Sequence, residues 1–504
     1  MLPKLPYKEK KKVRRTEYFG GLNRTDLAKE GELTDCAGLT GERAPYISPR
    51  YADRLAHTFG VPRGMTAANG KLYVAADTDL WEFDGETATR VMTGLSETKK
   101  SFACIGGALC VFPDKKYYRF SGGATGSLEL VESFTGFTLT ESALTRSDGV
   151  SFGFKVNDGV ALSGAGLSEG NRVSAIVTGV DGATLTFAGT PFTPQTSVSG
   201  AVTVSRLLPD LDFVCEHDNR LWGAAGSRVY ASWLGDPTNF TAYDTSHAQA
   251  SYFADVGTDG PFTGIASCPS YVAFMKAGCI HKLYGSKPSN FRLTVSRVTG
   301  CEAGSGGSAF VVNDNVVYNA GDGVYAYNGG EPEYLSQKTG RLGADAVGTC
   351  LNGVCYFVAT EGGKRRLFTY DLRRGTWLCD GEKDVFALAA HAGSVWYLTG
   401  EGKLYELGAA DTVRDWSATL VPFVEDASAR RYLRVLLKIW LAEGASVKIT
   451  ADNGGGKQSV FLRRADEDCR YEIPLPFFTG GSLRVSLSGS GKCLLKGIIR
   501  EYLE

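Results

Sequence analysis

The chain has 504 residues, 43% of them hydrophobic and 11% aromatic, with 63 glycines and a formal net charge of −1. One ordinary core cannot serve that length, so roughly two to four domains are expected; the near-neutral total excludes a chain that binds polyanions over its whole surface. The glycines follow no period, which excludes collagen-like and low-complexity readings, and their mixture with Val, Tyr, Phe and Leu suits tight turns between short strands.

Residues 1–18 form a basic lead. Met1–Arg15 carries Lys4, Lys8, Lys10, Lys11, Lys12, Arg14 and Arg15 against the single acid Glu9. It lacks the apolar core of a signal peptide. Two readings stand: a solvated, disordered arm, or an arm that ties down on nucleic acid or on an acidic neighbouring subunit. Deleting it is expected to weaken docking and to leave the melting temperature alone. Residues 19–51 follow as an extended segment.

A repeat then begins. "GMTAANGKLYVAADTDLWEFDG" and "FACIGGALCVFPDKKYYRFSGG" share one grammar with "EHDNRLWGAAGSRVYASWLGDPTNF": an apolar strand, a Gly/Asn turn, a second apolar strand, then a polar turn. Four later copies are "IASCPSYVAFMKAGCIHKLYG", "FVVNDNVVYNAGDGVYAYNGG", "GTCLNGVCYFVATEGGKRRLFTYDLRRGTW" and "ALAAHAGSVWYLTGEGKLYELG". With one long gap set aside, the copies are spaced roughly 37 to 51 residues apart, close to the roughly 40 to 50 residues of a four-stranded propeller blade. The expectation is all-β, with a seven-bladed β-propeller over residues 52–132 and 207–410 and six or eight blades as alternatives.

The long gap, residues 133–206, alternates apolar and polar residues over short strands such as Arg172–Val177 and Thr184–Phe187, with turns at "KVNDG" and "GVDGAT". About 70 residues of that pattern suit an inserted small β-barrel of five or six strands. Past the linker "ELGAADTVRDW", residues 416–504 read as a C-terminal β-sandwich, with Leu433, Val435, Leu437, Ile439 and Leu441 at period two.

Catalytic and metal chemistry find no support in the sequence. "SGSGKC" and "NGGGKQS" lack the earlier Gly and the following Ser or Thr of a phosphate loop. "DTDLWEFDG" puts Trp81 and Glu82 where a calcium loop needs an oxygen ligand and Gly. The histidines His57, His217, His247, His281 and His391 make no metal-spaced pair, and "TRSDGVSF" lacks the Trp of a sialidase box. No nucleophile elbow with recognisable partners occurs. Cys350 and Cys355 flank "LNGV" without a paired His, there is no C-x-x-C, and Cys104, Cys110, Cys215 and Cys268 sit in apolar strands as small hydrophobes. These read as reduced cysteines of a protein made in the cytoplasm. No run reaches the roughly 18 apolar residues of a membrane helix. No catalytic residue, metal or cofactor is expected.

Several phrases, in this order, resemble one family. "FGGLNRTDLAKEGELTDCAGLTGERAPYISPR" opens the series, and "HDNRLWGAAGSRVYASWLGDPTNF" and "IHKLYGSKPSNFRL" follow. "RRYLRVLLKIWLAEGASVKITAD", "IPLPFF" and "LRVSLSGSGKCLLKGIIREYLE" close it. Together they are similar to the stabilization proteins of Firmicute tailed phages and prophages, with a look of podophage tail nozzle and head-to-tail hub propellers. Cys36-Ala37-Gly38 and the basic lead depart from the family pattern.

The resemblance implies a structural virion protein at the head-to-tail junction or tail tube, assembled in the host bacterial cytoplasm, that helps to retain packaged DNA. Its implied partners are portal, adaptor or tail proteins and further copies of itself in a ring. Expected contact residues are Lys10, Lys11, Lys12, Arg14 and Arg15 on the arm, where DNA is an alternative partner, and Asp236, Pro237, Asn239 and Phe240 at the "GDPTNF" exit. The bland reading of that exit is a structural one. The alternative function is a host-glycan-binding or glycan-cleaving tail protein with Trp416 and Trp440 as stacking residues; a cellular propeller scaffold is a third reading.

Overall fold

The computed structural model describes residues 10–244, 246–425, 430–463 and 467–503; residues 1–9 of the expected arm lie outside them. The described chain is all-β, with short 3-10 turns and no α-helix. It divides into two compact units, Met1–Thr58 with Gly321–Tyr325 and Glu333–Glu504, and Phe59–Ala320 with Ala326–Pro332.

The second unit holds four antiparallel four-stranded sheets, each in chain order. Their second strands are Lys71–Ala76, Ala108–Phe112, Arg220–Ala225 and Tyr271–Lys276, and nearly every residue in these is buried. A strand buried on both faces must be covered on both, and successive sheets do this for each other. Tyr73, Ala75 and Leu80 pack with Leu109, Val111 and Tyr118. Ile105 and Phe112 pack with Leu211, Val214 and Leu221. Trp222 and Val229 then pack with Val272, Phe274 and Leu283. The "NRLWGAAGSRVYA" hairpin is thus the middle of a sheet running Phe213–His217, Arg220–Ala225, Arg228–Ala231, Tyr252–Asp255.

Two-residue turns with positive φ at both positions set the register of these hairpins, as at Asn69-Gly70 and Asp218-Asn219. Such turns match the twist of the strands they join.

Between the second and third of these sheets, six strands close into a barrel in the order Leu130–Leu139, Ala143–Arg146, Thr184–Phe187, Ser174–Asp181, Gly159–Ser163, Gln195–Arg206. Phe134, Phe137, Phe152, Phe154, Phe187 and Phe192 fill it with Val and Leu.

Strands Phe310–Val312, Asn315–Asn319, Val324–Tyr327 and Glu333–Tyr334 make a further four-stranded sheet. In the first unit, Ala344–Leu351, Val354–Glu361, Lys364–Asp371 and Thr376–Glu382 form the next. Ala387–His391, Ser394–Leu398 and Lys403–Glu406 begin the last, which is completed by Arg54–Thr58 from the other end of the chain. Arg54 Nη2 donates to Glu406 Oε2 at 2.5 Å across that junction.

Two five-stranded sheets complete this unit. One runs Lys11–Thr16, Cys493–Leu503, Arg430–Leu441, Glu467–Pro474, with Thr479–Gly480 also paired to Arg430–Leu441. The other runs Leu33–Ala37, Trp416–Leu420, Arg484–Ser490, Ser446–Asp452, Lys457–Arg463. Val435, Leu437, Ile439 and Leu441 are buried in the first, and Val447, Ile449, Val485 and Leu487 in the second. Residues 416–504 are therefore not self-contained: each sheet takes a strand from the N-terminal segment.

Lys11–Thr16 corrects the solvated-arm reading over the described residues. It is an edge strand in register with Ile498–Leu503. Lys11 Nζ lies 2.6 Å from Glu501 Oε2 and Arg14 Nε 3.1 Å from Glu425 Oε2. Outward cations on an edge strand are a common guard against pairing with another sheet.

Beneath this strand lies a buried ionic clasp. Arg500 is fully buried; it donates from Nη1 to Thr16 Oγ1 and Glu30 Oε1 at 3.0 Å each, from Nη2 to Glu30 Oε2 at 2.7 Å, and from Nε to Glu425. The "GGLN" and "EGEL" phrases fold onto each other beside it. Leu33 N donates to Gly21 O at 2.8 Å, and Asn23 Nδ2 to Glu32 Oε2 at 2.7 Å. Gly31 has φ +87°, and a Cβ there would sit 2.4 Å from Tyr18 O.

Removing Arg500 takes the central cation from buried Glu425, which keeps the half-exposed Arg14, while Glu30 at 41% exposure can turn to water. Arg500→Met is expected to cost about 3–5 kcal/mol in chemical denaturation of the full chain, whereas Lys11→Ala, at a half-exposed pair, costs under about 1 kcal/mol. Deleting Met1–Arg15 strips the edge strand and is now expected to lower the melting temperature.

Candidate functional site

The expected contact residues divide by environment. Lys10, Lys11, Lys12, Arg14 and Arg15 are exposed, on or next to the edge strand. The "GDPTNF" exit behaves otherwise. Asn239 is 1% and Phe240 0% exposed, so neither is available to a partner. Phe240 fills the cluster between two neighbouring sheets, with Phe112 and Leu221. Asn239 Nδ2 donates to Asn157 O at 2.6 Å, Thr241 Oγ1 to Gly159 O at 2.7 Å, and Asp236 Oδ2 meets Lys155 Nζ at 2.6 Å. These bonds seam the barrel to the sheet that precedes the exit. A Cβ on Gly159 would stand 2.4 Å from the carbonyl carbon of Thr241, so the backbones are in contact there.

Arg220, of the "NRL" phrase, holds the same loop from below. Its guanidinium is buried and donates to the carbonyls of Ser232, Ala248, Gln249 and Ala250 at 2.7 to 3.1 Å. Burial lowers its pKa to about 10.

In the first unit, a cavity of about 260 Å³ is lined by Glu42, Arg43, Tyr51, Trp440 and Lys492 among others. Trp440 is half-buried in it, and Lys492 Nζ sits 5.0 Å from the centre of the Tyr51 ring. Glu42 is the one carboxylate lining it, whereas glycoside hydrolysis needs two. Trp416 is buried, its indole over Gly489, and presents no stacking surface. Among the described residues no group of three His, Cys, Asp or Glu is placed to hold a metal ion.

Another ionic network in this unit was not legible in the sequence. Asp380, 1% exposed, faces Arg50 Nε at 3.3 Å and Arg414 Nη1 at 2.8 Å. Asp53 accepts from Lys383, from Tyr397 Oη at 2.7 Å and from Gly408 N at 3.0 Å. Burial alone would push the Asp53 carboxyl up, but the Lys383 ammonium and these donors hold it below the usual carboxylate range. Cys350 and Cys355 are cross-strand partners, and the neighbouring Cys355 side chain lowers the pKa of Cys350.

No protein-family model and no curated protein matches the chain. Among solved structures it is similar to BamB from Moraxella catarrhalis, at 11% identity over 78% of this chain and 97% of that one, with a TM-score of 0.35. It is also similar to PorZ of Porphyromonas gingivalis, at 12% identity over 81% of this chain and 46% of that one, TM-score 0.37. The extracellular domain of a one-component system from B. thetaiotaomicron gives 11% identity over 92% and 62%, TM-score 0.35. The chain thus spans less than half the length of PorZ and about three-fifths of the last.

Two outcomes follow from the seam and the network. Asn239→Ala leaves the Asn157 carbonyl and the Gly159 amide without a buried partner and is expected to cost about 1–3 kcal/mol by denaturation. The folded-state pKa of Asp53 is lowered, so its contribution is present above the unfolded value of about 4 and is lost as pH falls through the folded one. Asp53→Asn should therefore melt well below the parent at pH 7, with the gap closing below about pH 4.

Proposed function

We propose that the chain is a structural virion protein of a tailed phage or prophage, acting at the head-to-tail junction or tail tube as a binding scaffold that helps to retain packaged DNA. The observation that carries the reading is where the family-like phrases fall. "GGLN", "EGEL" and the Arg500 of "IIREYLE" meet in one buried clasp. The "NRL" and "GDPTNF" phrases supply the residues that pin one loop and seam the barrel. Residues spread along the chain in the family order thus have their roles in one fold.

In this reading the seven four-stranded sheets are blades of a β-propeller. The Arg54–Thr58 strand closes its last blade, the six-stranded barrel is an insertion after the second, and the two five-stranded sheets form a β-sandwich. A closed propeller leaves few free strand edges, which suits a part repeated around a symmetric ring. Partners are portal, adaptor or tail proteins and further copies of the chain. The exposed contact candidates that remain are Lys10, Lys11, Lys12, Arg14 and Arg15, with Asp236 and Pro237 partly covered.

A second reading, host-glycan binding, is favoured by one observation, a polar sheet face described below. For the first, particles from an induced host culture are separated into DNA-filled heads, empty heads and tails, and the chain is located by mass spectrometry. Enrichment on DNA-filled heads, including tailless ones, is the expected result for a neck protein. Association with tails alone moves it down the tail, and absence from all particles removes the reading.

A further inference from the structure

The sheet that runs from Leu33–Ala37 to Lys457–Arg463 buries one face and leaves the other largely paved with hydroxyls. Strand register puts Thr419, Ser486, Thr450 and Ser459 in one row across four adjacent strands. Thr419 Oγ1 donates to Ser486 Oγ at 3.3 Å, and the Thr450 and Ser459 hydroxyls are 3.0 Å apart. The next row brings Ser417, Ser488, Lys448 and Phe461 into line. Strand spacing is about 4.8 Å, so groups in a row repeat at close to the length of one monosaccharide unit.

Phe461 is 58% exposed, and the Arg463 guanidinium carbon lies 5.1 Å from its ring centre. The open ring offers an apolar platform for the C–H face of a sugar, and the guanidinium beside it a partner for a carboxylate. Lys448, Lys457, Arg463 and Arg484 are exposed, and none makes an ion pair among the described residues. Asp452 stands in register with Arg484 and Lys457 and Asp35 with Thr419, so four exposed cations outnumber two carboxylates on this face. A trough of about 480 Å³ opens here, bounded by Thr34, Thr419, Thr450, Lys457, Arg484 and Ser486.

We infer that this face binds an acidic polysaccharide whose carboxylate-bearing sugars lie along the hydroxyl rows. The charge pattern separates this occupant from a nucleic acid. A phosphodiester strand brings a charge with every nucleotide and offers mostly acceptors, whereas this face sets a row of four hydroxyls beside a few spaced cations, Lys448 among them. Hydroxyls both donate and accept, which is what a sugar chain with its own hydroxyls requires. Carboxylates at intervals then meet Lys448, Lys457 and Arg484 in charge-assisted bonds. The inference deepens the glycan reading and is independent of virion placement, since it is read on the purified chain rather than on particles.

The test is isothermal titration calorimetry of the full chain with an oligogalacturonate heptamer, maltoheptaose and a fifteen-residue oligothymidylate. Oligogalacturonate is expected to bind, with maltoheptaose at least about tenfold weaker because it lacks the charge-assisted bonds. The exposed-site variant Lys457→Gln/Arg484→Gln should lose about tenfold or more for the uronate while remaining folded, with a melting temperature close to the parent's. Thr450→Val/Ser486→Val should lose affinity for the uronate without any change of charge. Absence of heat with oligogalacturonate, tighter binding of the oligothymidylate, or full affinity in the folded charge variant would each overturn the assignment.

Discussion

A guanidinium with no access to water must find acceptors for its donors within the protein, and Arg500 finds them in two regions remote from it in the chain. Thr16 and Glu30 come from its beginning, and Glu425 from the connection between two late strands. Its planar fork accounts for the arrangement: Glu30 is gripped by both Nη atoms, while Nε is left for Glu425. Without this cation, two carboxylates would face each other beneath the edge strand, and the strand itself would lose its anchor at Thr16. The pairing of Lys11–Thr16, the fold of "GGLN" on "EGEL" and the first five-stranded sheet all converge on that one group.

The second unit solves a different problem by repetition. Its central strands are apolar on both sides, so each sheet is stable only between others. The loops that join sheets carry polar backbone that must also be satisfied. Arg220 does this for residues 248–250 with a charge that has only carbonyl acceptors, at the cost of a lowered pKa. Asn239 does it at the barrel seam by pairing backbone with backbone through one amide side chain.

The all-β class and the paired inner strands were readable because alternation and Asn/Gly turns are local signals. The outer strands were less so: Tyr252–Asp255 follows its neighbour after a long loop, and Arg54–Thr58 joins a sheet made from the far side of the sequence. Neither has an apolar pattern of its own. Lys11–Thr16 read as an arm for the same reason, since an edge strand needs only backbone partners and its side chains can all be charged. Asn239 and Phe240 sit in a turn-rich phrase that composition marks as surface, yet one is consumed by backbone bonds and the other by a hydrophobic cluster. Trp416 and Trp440 drew attention by size, while the open Ser/Thr face gave no sequence signal beyond ordinary polar alternation.

The clasp also has a timetable. Glu30 and Arg500 are separated by 470 positions. At roughly 5–20 residues per second of synthesis, Glu30 therefore waits about half a minute to a minute and a half for its partner. During that interval Lys11–Thr16 has no neighbouring strand to join, and Glu30 remains in water. A chain that stops short of Arg500 leaves Lys11–Thr16 without its neighbouring strand and Glu30 without its guanidinium, while Leu33–Ala37 can already pair with Trp416–Leu420. The last strand of the chain therefore decides when the first one can be set in place.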